Sequence, residues 1–284
     1  MDRIENRALI LGRSFGVYGH ALALLDLEYE IFFPSTYRGE IWSRREYISL
    51  QEKCFFLENP IPDITAFGLV CCARRPKENA AIADALLQTT YRGQLIIEKP
   101  IAPNPDEAIR LGSELSTAKI KWDVPYLFLY TDWFEPVRKA VKAGEKISIN
   151  WTHNATFPQG HWKATSDEGG GTVSYYLIHL LALFVQLDQP CPLERRSSNS
   201  WLLQGPLVTA AFETGSIMKF SIMQGDRVIF QNESPFGAAP ARGKPDTRIA
   251  ALKNFYTNVL ARKDQREIRM FHCDVHQRWR DAID

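Results

Sequence analysis

Between residues 7 and 121 the chain alternates short apolar runs with stretches of helical spacing, and this alternation restricts the fold more than any other feature. Apolar runs at residues 8–11, 30–33, 67–72 and 95–97 read as strands. Between the third and fourth, "RPKENAAIADALLQTTYRG" reads as a helix ending near Gly93. "NPDEAIRLGSELSTA" opens with a proline and two acids, as a first helical turn does. Strands joined by helices run parallel, because the chain must cross over the sheet to come back in the same direction. The expectation for this half is a doubly wound α/β sheet.

After Lys121 the rhythm changes. A helix-like "DWFEPVRKAVKAG" precedes "KISINWTHNA", and then "SWLLQ", "LVTAAFE", "SIMKFSIM" and "RVIFQNE" follow at close spacing. These last four predict an antiparallel meander. Two domains are therefore expected, a doubly wound α/β one over residues 1–121 and an α+β one with a mainly antiparallel open sheet over residues 122–284. At 284 residues and 45% hydrophobic composition it is long enough for two cores. Residues 235–246 read as an exposed loop, followed by a helix to about Lys263. The strands "LVTAAFE" and "SIMKFSIM" carry apolar residues on more than one alternation, which predicts a homo-oligomer packed through this sheet.

Lys and Arg (34) nearly balance Asp and Glu (33) and are scattered, so the basic stripe of a nucleic-acid binder is missing. Five cysteines, two of them adjacent at Cys71–Cys72 inside an apolar run, fit small core residues in a reducing compartment. The N-terminal "MDRIENRALI" has no apolar signal core, and no stretch approaches 18 uninterrupted apolar residues. A cytoplasmic protein with no membrane partner is expected.

"LILGRSFGVYGHALALL" stands where the first strand would turn into the first helix. Glycines there let the backbone approach a diphosphate lying on a helix N-terminus, although they also serve plain strand–helix packing. Gly12 is regular for that fingerprint; Ser14 and Val17 occupy its other two glycine positions, supplemented by Gly16 and Gly19. Arg13, Ser14 and Phe15 complete the candidate turn. The second strand closes with Pro34, Ser35, Thr36, Tyr37 and Arg38, where an acid would take the ribose hydroxyls. Hydroxyls and a guanidinium suit a 2′-phosphate, which favours NADP over NAD; the alternative is a solvated Arg38.

Three motifs now stand in order: the glycine turn, "EKP" at Glu98–Lys99–Pro100, and "GGGTVSYYLIH" from Gly169 to His179. Together they resemble the glucose-fructose oxidoreductase and inositol dehydrogenase family (Gfo/Idh/MocA) over roughly residues 7–187. The resemblance implies a Rossmann-type dinucleotide-binding domain at residues 1–121, an α+β substrate-binding and oligomerisation domain at residues 122–284, and a nicotinamide cofactor near Glu98 and Lys99. It also implies a Lys99 reaching into the active site, a cis Lys99–Pro100 bond and a His179 acting as general acid/base. Where that family carries an aspartate beside the histidine, this chain has Tyr175. Tyr175 and His179 are four apart on a helix and share a face, so a phenol activated by the Lys99 ammonium is expected to handle a proton. A buried helix with Tyr175, Tyr176 and His179 as core residues is the alternative.

"HNATFPQGHWK" places His161, Trp162 and Lys163 at the expected rim of a substrate pocket, where a Trp among polar groups suits a sugar ring or packs a core. His272 and His276 in "FHCDVH" have zinc-helix spacing, but no third ligand is identifiable, so no metal is expected. No nucleophile elbow and no P-loop occur. The chain reads as an NAD(P)-dependent oxidoreductase moving hydride between a nicotinamide and a carbinol or ketone of a small sugar-like molecule. The competing readings are a catalytically reduced nucleotide- or sugar-binding sensor or assembly partner, motivated by Ser14, Val17 and Tyr175, and an imine or enone reductase.

Overall fold

Six strands make the first sheet: β1 (Arg7–Leu11), β2 (Glu30–Pro34), β3 (Cys54–Leu57), β4 (Leu69–Cys72), β5 (Gln94–Ile97) and β6 (Lys121–Asp123). All pairs are parallel, in the order β3-β2-β1-β4-β5-β6. The strand order reverses between β1 and β4, which makes the crevice at the C-terminal ends of these two strands the expected ligand position. The computed structural model describes residues 6–44, 47–58, 63–154, 157, 160–238 and 244–283. The loop expected at 235–246 lies partly outside them.

Four of the six strands were legible as apolar runs; β3 and β6 were not. β3 is a half-exposed edge strand whose apolar run, CFFL, follows α3 with no turn residue to mark a boundary, and β6 has three residues of which one is apolar. The helices are α1 (Leu22–Leu25, continuing a π-helical turn Gly16–Ala21), α2 (Arg38–Trp42), α3 (Ile48–Lys53), α4 (Pro76–Leu87), α5 (Pro105–Thr117), α6 (Phe134–Lys142), α7 (Ile178–Gln186), α8 (Arg248–Ala261) and α9 (Arg266–Ile283). In α5 the Asn104 side chain accepts from the Glu107 backbone N–H at 2.9 Å, Pro105 fixes the first turn, and Asp106 and Glu107 complement the helix dipole. α4 stops at Leu87, short of Gly93. That glycine has another use: a Cβ there would stand 2.5 Å from the Gly68 carbonyl oxygen, so its absence lets the entry to β5 close on β4.

The second sheet comprises β7 (Ile147–His153), β8 (Leu193–Ser197), β9 (Ser200–Gln204), β10 (Val208–Thr214), β11 (Lys219–Gln224) and β12 (Arg227–Asn232), in the order β12-β11-β7-β10-β9-β8. It is mainly antiparallel, but the expected meander is interrupted. β7 inserts between β10 and β11 and runs parallel to β10. The reason is α7, the crossover that a parallel return requires. β8, a polar edge strand without apolar alternation, had no sequence signal.

Ile147, Ile149, Trp151, Val208, Ala210, Phe212, Phe220 and Ile222 point to one face and join the core cluster that contains Leu95 and Trp122 of the first sheet. The alternate positions carry Ser148, Asn150, Thr152, Thr209, Ala211 and Ser221. One apolar alternation thus faces the core, and the outward face has short, mostly polar side chains with Leu202 and Met223 among them. α7 is buried from Ile178 through Phe184, as a helix apolar on all sides must be. Each such large apolar side chain contributes about 1.5–3 kcal/mol by leaving water.

After the second sheet the chain returns to the first. α8 packs on the helix that follows the glycine turn, and α9 packs on α5 and α7. The buried Asp123 holds this tail: Arg262 donates to Oδ2, and His272 Nε2 lies 3.0 Å from Oδ1. His276 Nε2 lies 3.3 Å from the Tyr126 hydroxyl. The two histidines of the zinc-like spacing thus have separate partners, and among the described residues no group of three metal-ligating side chains is present. No helix among them is long and apolar enough to cross a membrane.

Candidate active site

The glycine turn lies at the reversal of strand order. A Cβ on Gly12 would stand 2.2 Å from the Ala73 carbonyl oxygen, so only glycine lets the end of β1 pass the chain leaving β4. Arg13 and Ser14 are exposed, Phe15 is half-buried, and Gly16 begins the buried π-helical turn. Arg13 donates to the Thr36 carbonyl at 3.1 Å and lies 5.2 Å over the Tyr37 ring, joining the turn to the end of β2. Ser35 and Thr36 stand in the short 3-10 turn there. Arg38 is exposed, 2.8 Å from Glu58 Oε1 and 5.0 Å over Phe56. Arg74, from the end of β4, and Arg13 both act on the Tyr37 hydroxyl, where burial pushes the pKa up and these charges pull it down.

Lys99 follows β5 at the same end of the sheet. The Asn79 side chain donates to the Glu98 carbonyl at 3.2 Å, and the Lys99–Pro100 peptide is cis. Glu98 turns its carboxylate to His20 Nε2 at 2.9 Å, and His20 Nδ1 lies 2.6 Å from the Tyr256 hydroxyl of α8. Burial opposes the His20 imidazolium, while Cys71 and Glu98 favour it; the balance raises its pKa. β5, the glycine-turn helix and α8 are knit together by this chain.

The Lys99 ammonium donates to the Tyr175 backbone carbonyl and lies 4.1 Å from the Tyr175 ring centroid. Burial lowers its pKa to about 7; Glu98 opposes that, and Lys163 and Arg248 add to it. His179 is buried and stacked on Phe128, with ring centroids 4.8 Å apart. Its Nδ1 is buried with no hydrogen-bond partner among the described residues. Burial, then Lys99 and Arg248, holds its pKa well below the usual histidine value, so the imidazole is neutral. The expected activation of the Tyr175 phenol takes a different form. The ammonium meets the ring face and the carbonyl, and burial, followed by Glu98, pushes the phenol up to about 12 against the pull of Arg248. The hydroxyl stays protonated at neutral pH.

Opposite Lys99, the turn Trp162–Ala164 closes on Tyr175. His161 Nδ1 accepts from the Lys163 N–H at 3.2 Å, Trp162 meets the Tyr175 ring edge-on at 5.6 Å, and the Lys163 ammonium stands 4.4 Å from the same ring. The triple glycine permits this. Gly171 N–H donates to the Lys163 carbonyl at 2.7 Å, and a Cβ on Gly170 would lie 2.2 Å from the Trp162 carbonyl oxygen.

Three contributors have no sequence signal. Arg248, at the start of α8, lies 4.1 Å over Phe15 and is held by Asp246 through Nε at 2.9 Å and Nη2 at 2.8 Å. That pairing raises its pKa despite burial. His20 and Tyr256 complete the brace behind Glu98. Lys99, Lys163, Tyr175 and His179 therefore form one cluster with Arg248, whereas Ser35, Thr36 and Arg38 stand at the end of β2.

No protein-family model and no curated protein sequence matches the chain. Solved structures do. A myo-inositol dehydrogenase from Corynebacterium glutamicum superposes with a TM-score of 0.67 at 11% identity, over 98% of this chain and 95% of that one. The WlbA dehydrogenase from Thermus thermophilus, in complex with NAD and UDP-GlcNAcA, gives 0.70 at 12% identity over 98% and 94%. The transcriptional regulator Gal80p from Kluyveromyces lactis gives 0.68 at 11% over 98% and 89%. The chain has the fold of these proteins: a Rossmann-like parallel sheet followed by a mainly antiparallel one.

Proposed function

We propose that this chain is an NAD(P)-dependent oxidoreductase that moves hydride between a nicotinamide and a carbinol or ketone of a small, sugar-like molecule. The observation that carries this reading is the meeting of Lys99, from the end of β5, with the helical turn that bears Tyr175 and leads to His179. Two solved structures with this fold are dehydrogenases, one of them with NAD bound, which supports the same reading.

The residues fit a dinucleotide. An exposed turn with a glycine that tolerates no Cβ lies at the strand-order reversal, and the end of β2 offers Ser35, Thr36 and Arg38 in place of an acid. Gly12, Arg13, Ser14, Phe15 and Gly16 would hold the diphosphate, and Ser35, Thr36 and Arg38 the adenosine ribose, with NADP preferred. Glu98 and Lys99 would stand at the reactive end. The bound cofactor supplies the hydride acceptor or donor.

Lys99 handles the proton. A buried amine with a pKa of about 7 is close to ideal for general acid–base work near neutrality. As the free amine it accepts the proton of a substrate hydroxyl during oxidation; as the ammonium it returns one during reduction. His179, neutral throughout, holds the reacting oxygen by a hydrogen bond. His161, Trp162 and Lys163 border the substrate. Homo-oligomerisation through the outward face of the second sheet belongs to this proposal, and light scattering at micromolar concentration tests it; a stable monomer would remove it.

A titration of the purified protein with NADPH and NADH, followed by nicotinamide fluorescence, tests the proposal at its first step. Binding of neither removes it. Gal80p, a transcriptional regulator of the same fold, favours a second reading as a ligand-binding sensor. Tight cofactor binding without turnover on any polyol or sugar would select it.

A further inference from the structure

We propose that Lys163 receives an anionic group of the substrate, a carboxylate or a phosphate, beside the Tyr175 ring, while Lys99 is left to the reacting oxygen; this rests on the oxidoreductase reading and names its substrate class. The two ammonium groups stand 4.1 and 4.4 Å from the centroid of one ring, so a sugar-sized molecule whose reacting oxygen meets Lys99 can bring an anionic substituent to Lys163. Neither has a carboxylate partner among the described residues. The two acids nearest in the network are already engaged: Glu98 with His20, and Asp246 with both arms of Arg248.

Two like charges in a largely buried site repel each other and lose hydration, and the face of an aromatic ring offsets only part of this. The positive charge extends further, because Arg248 lowers the pKa of both lysines. An anion supplied from outside satisfies the Lys163 ammonium with charge-assisted hydrogen bonds and offsets the positive charge around it. The position of Lys163 is built: Gly170 admits no Cβ against Trp162 and Lys163, and the Gly171 N–H holds the Lys163 carbonyl over the helix that follows. The Lys163 ammonium also lies 5.6 Å over Phe157 and 5.8 Å over Trp162, so its stem is walled by apolar rings and its head is directed to Tyr175.

The test uses the full chain loaded with whichever cofactor binds. Glucuronate, glucose 6-phosphate and glucose serve as matched probes, read by kcat/KM and by the thermal shift each produces. The expected result is that at least one anionic probe exceeds glucose by about 10-fold or more, the value of a charge-assisted hydrogen bond. Lys163→Gln is expected to collapse this preference through KM, and Lys163→Arg to keep most of it, with cofactor affinity unchanged in both. The acid and the phosphate arms decide which anion is taken. Equal responses to all three probes, or a preference that survives Lys163→Gln, overturns the proposal. A Lys163→Gln protein that loses cofactor affinity assigns the lysine to the dinucleotide and overturns it too. Failure of the wild type to bind either cofactor is a separate result, seen before any probe is added, and overturns the oxidoreductase reading with it.

Discussion

Lys99 and Tyr175 meet twice: the ammonium lies 4.1 Å from the centroid of the tyrosine ring and donates a hydrogen bond to the same residue's backbone carbonyl. A strand end of the first sheet is thereby fixed to the helical turn that leads into α7. The contact holds a charge in a place where burial disfavours it, and the predictions turn on that conflict.

Replacing Lys99 by Met is expected to lower kcat by about 10²–10⁴ while cofactor affinity is kept. The same change should stabilise the fold at neutral pH. Because burial lowers the Lys99 pKa from 10.5 to about 7, the folded state binds fewer protons than the unfolded state between these values. Stability from this group therefore rises with pH across that window, and charging the amine below it costs stability. Calorimetry should give Lys99→Met the higher Tm at pH 7, with the advantage shrinking towards pH 10. A lower Tm at pH 7 would contradict the assignment of a penalised buried charge.

The turnover of the wild type should follow the same group. Oxidation needs the free amine, so its kcat rises through about pH 7 and levels off; reduction needs the ammonium and falls over the same range. His179, held neutral by burial, adds no second limb near neutrality. Steady-state rates in both directions from pH 5.5 to 9 decide this, and parallel profiles in the two directions would count against Lys99 as the proton carrier.

Tyr175 divides its roles between ring and hydroxyl. With the phenol pushed up to about 12, its proton stays in place at working pH, and the ring face is what the ammonium groups contact. Tyr175→Phe is expected to keep kcat within about threefold, while Tyr175→Leu, which removes the face worth about 0.5–2 kcal/mol per cation, should lose more than Phe in KM. A Phe variant reduced by a full acid–base factor would instead make the hydroxyl a proton donor.

The proposed NADP preference rests on Ser35, Thr36 and Arg38 at the end of β2. NADPH should bind more tightly than NADH, and Arg38→Ala should narrow the difference. Glu58→Gln releases Arg38 from its exposed 2.8 Å partner and should widen it. Fluorescence titrations of the three proteins check this; equal affinities in the wild type would exclude the preference.

Gly170→Ala places a methyl group where the Trp162 carbonyl oxygen would lie 2.2 Å away, so the turn Trp162–Ala164 must shift. The expected cost is about 1–3 kcal/mol of stability together with a rise in KM, since Lys163 is carried by that turn. Retained KM would show that the turn does not serve the site.

Much of this was written locally. Strand runs at 8–11, 30–33, 67–72 and 95–97, Asn104 and Pro105 at a helix start, and the apolar residues of α7 all report through neighbours in sequence. The glycine turn and EKP follow the ends of β1 and β5, and the GGG-to-His179 motif opens the helical turn that leads into α7. β6 and β8 escaped because a very short strand and a polar edge strand need little apolar surface, and β3 because its apolar run follows α3 without a turn residue between them. The division of β9 and β10 from β11 and β12 escaped because β7, which separates them, lies far back in the chain.

The sequence by itself determined most of the strands and the longer helices that flank the site, and where chemistry-bearing residues stand along them, because period, turn residues and caps act over a few residues. Only the tertiary structure decided which of those residues meet. Arg248 reaches the glycine turn across 230 residues from Tyr18, Tyr256 braces His20, and Lys163 faces Lys99 over a tyrosine ring. Such contacts, and the displaced pKa values they bring, come from burial and charge at long range. Spacing along the chain carries no record of either, since they exist only once the core has closed.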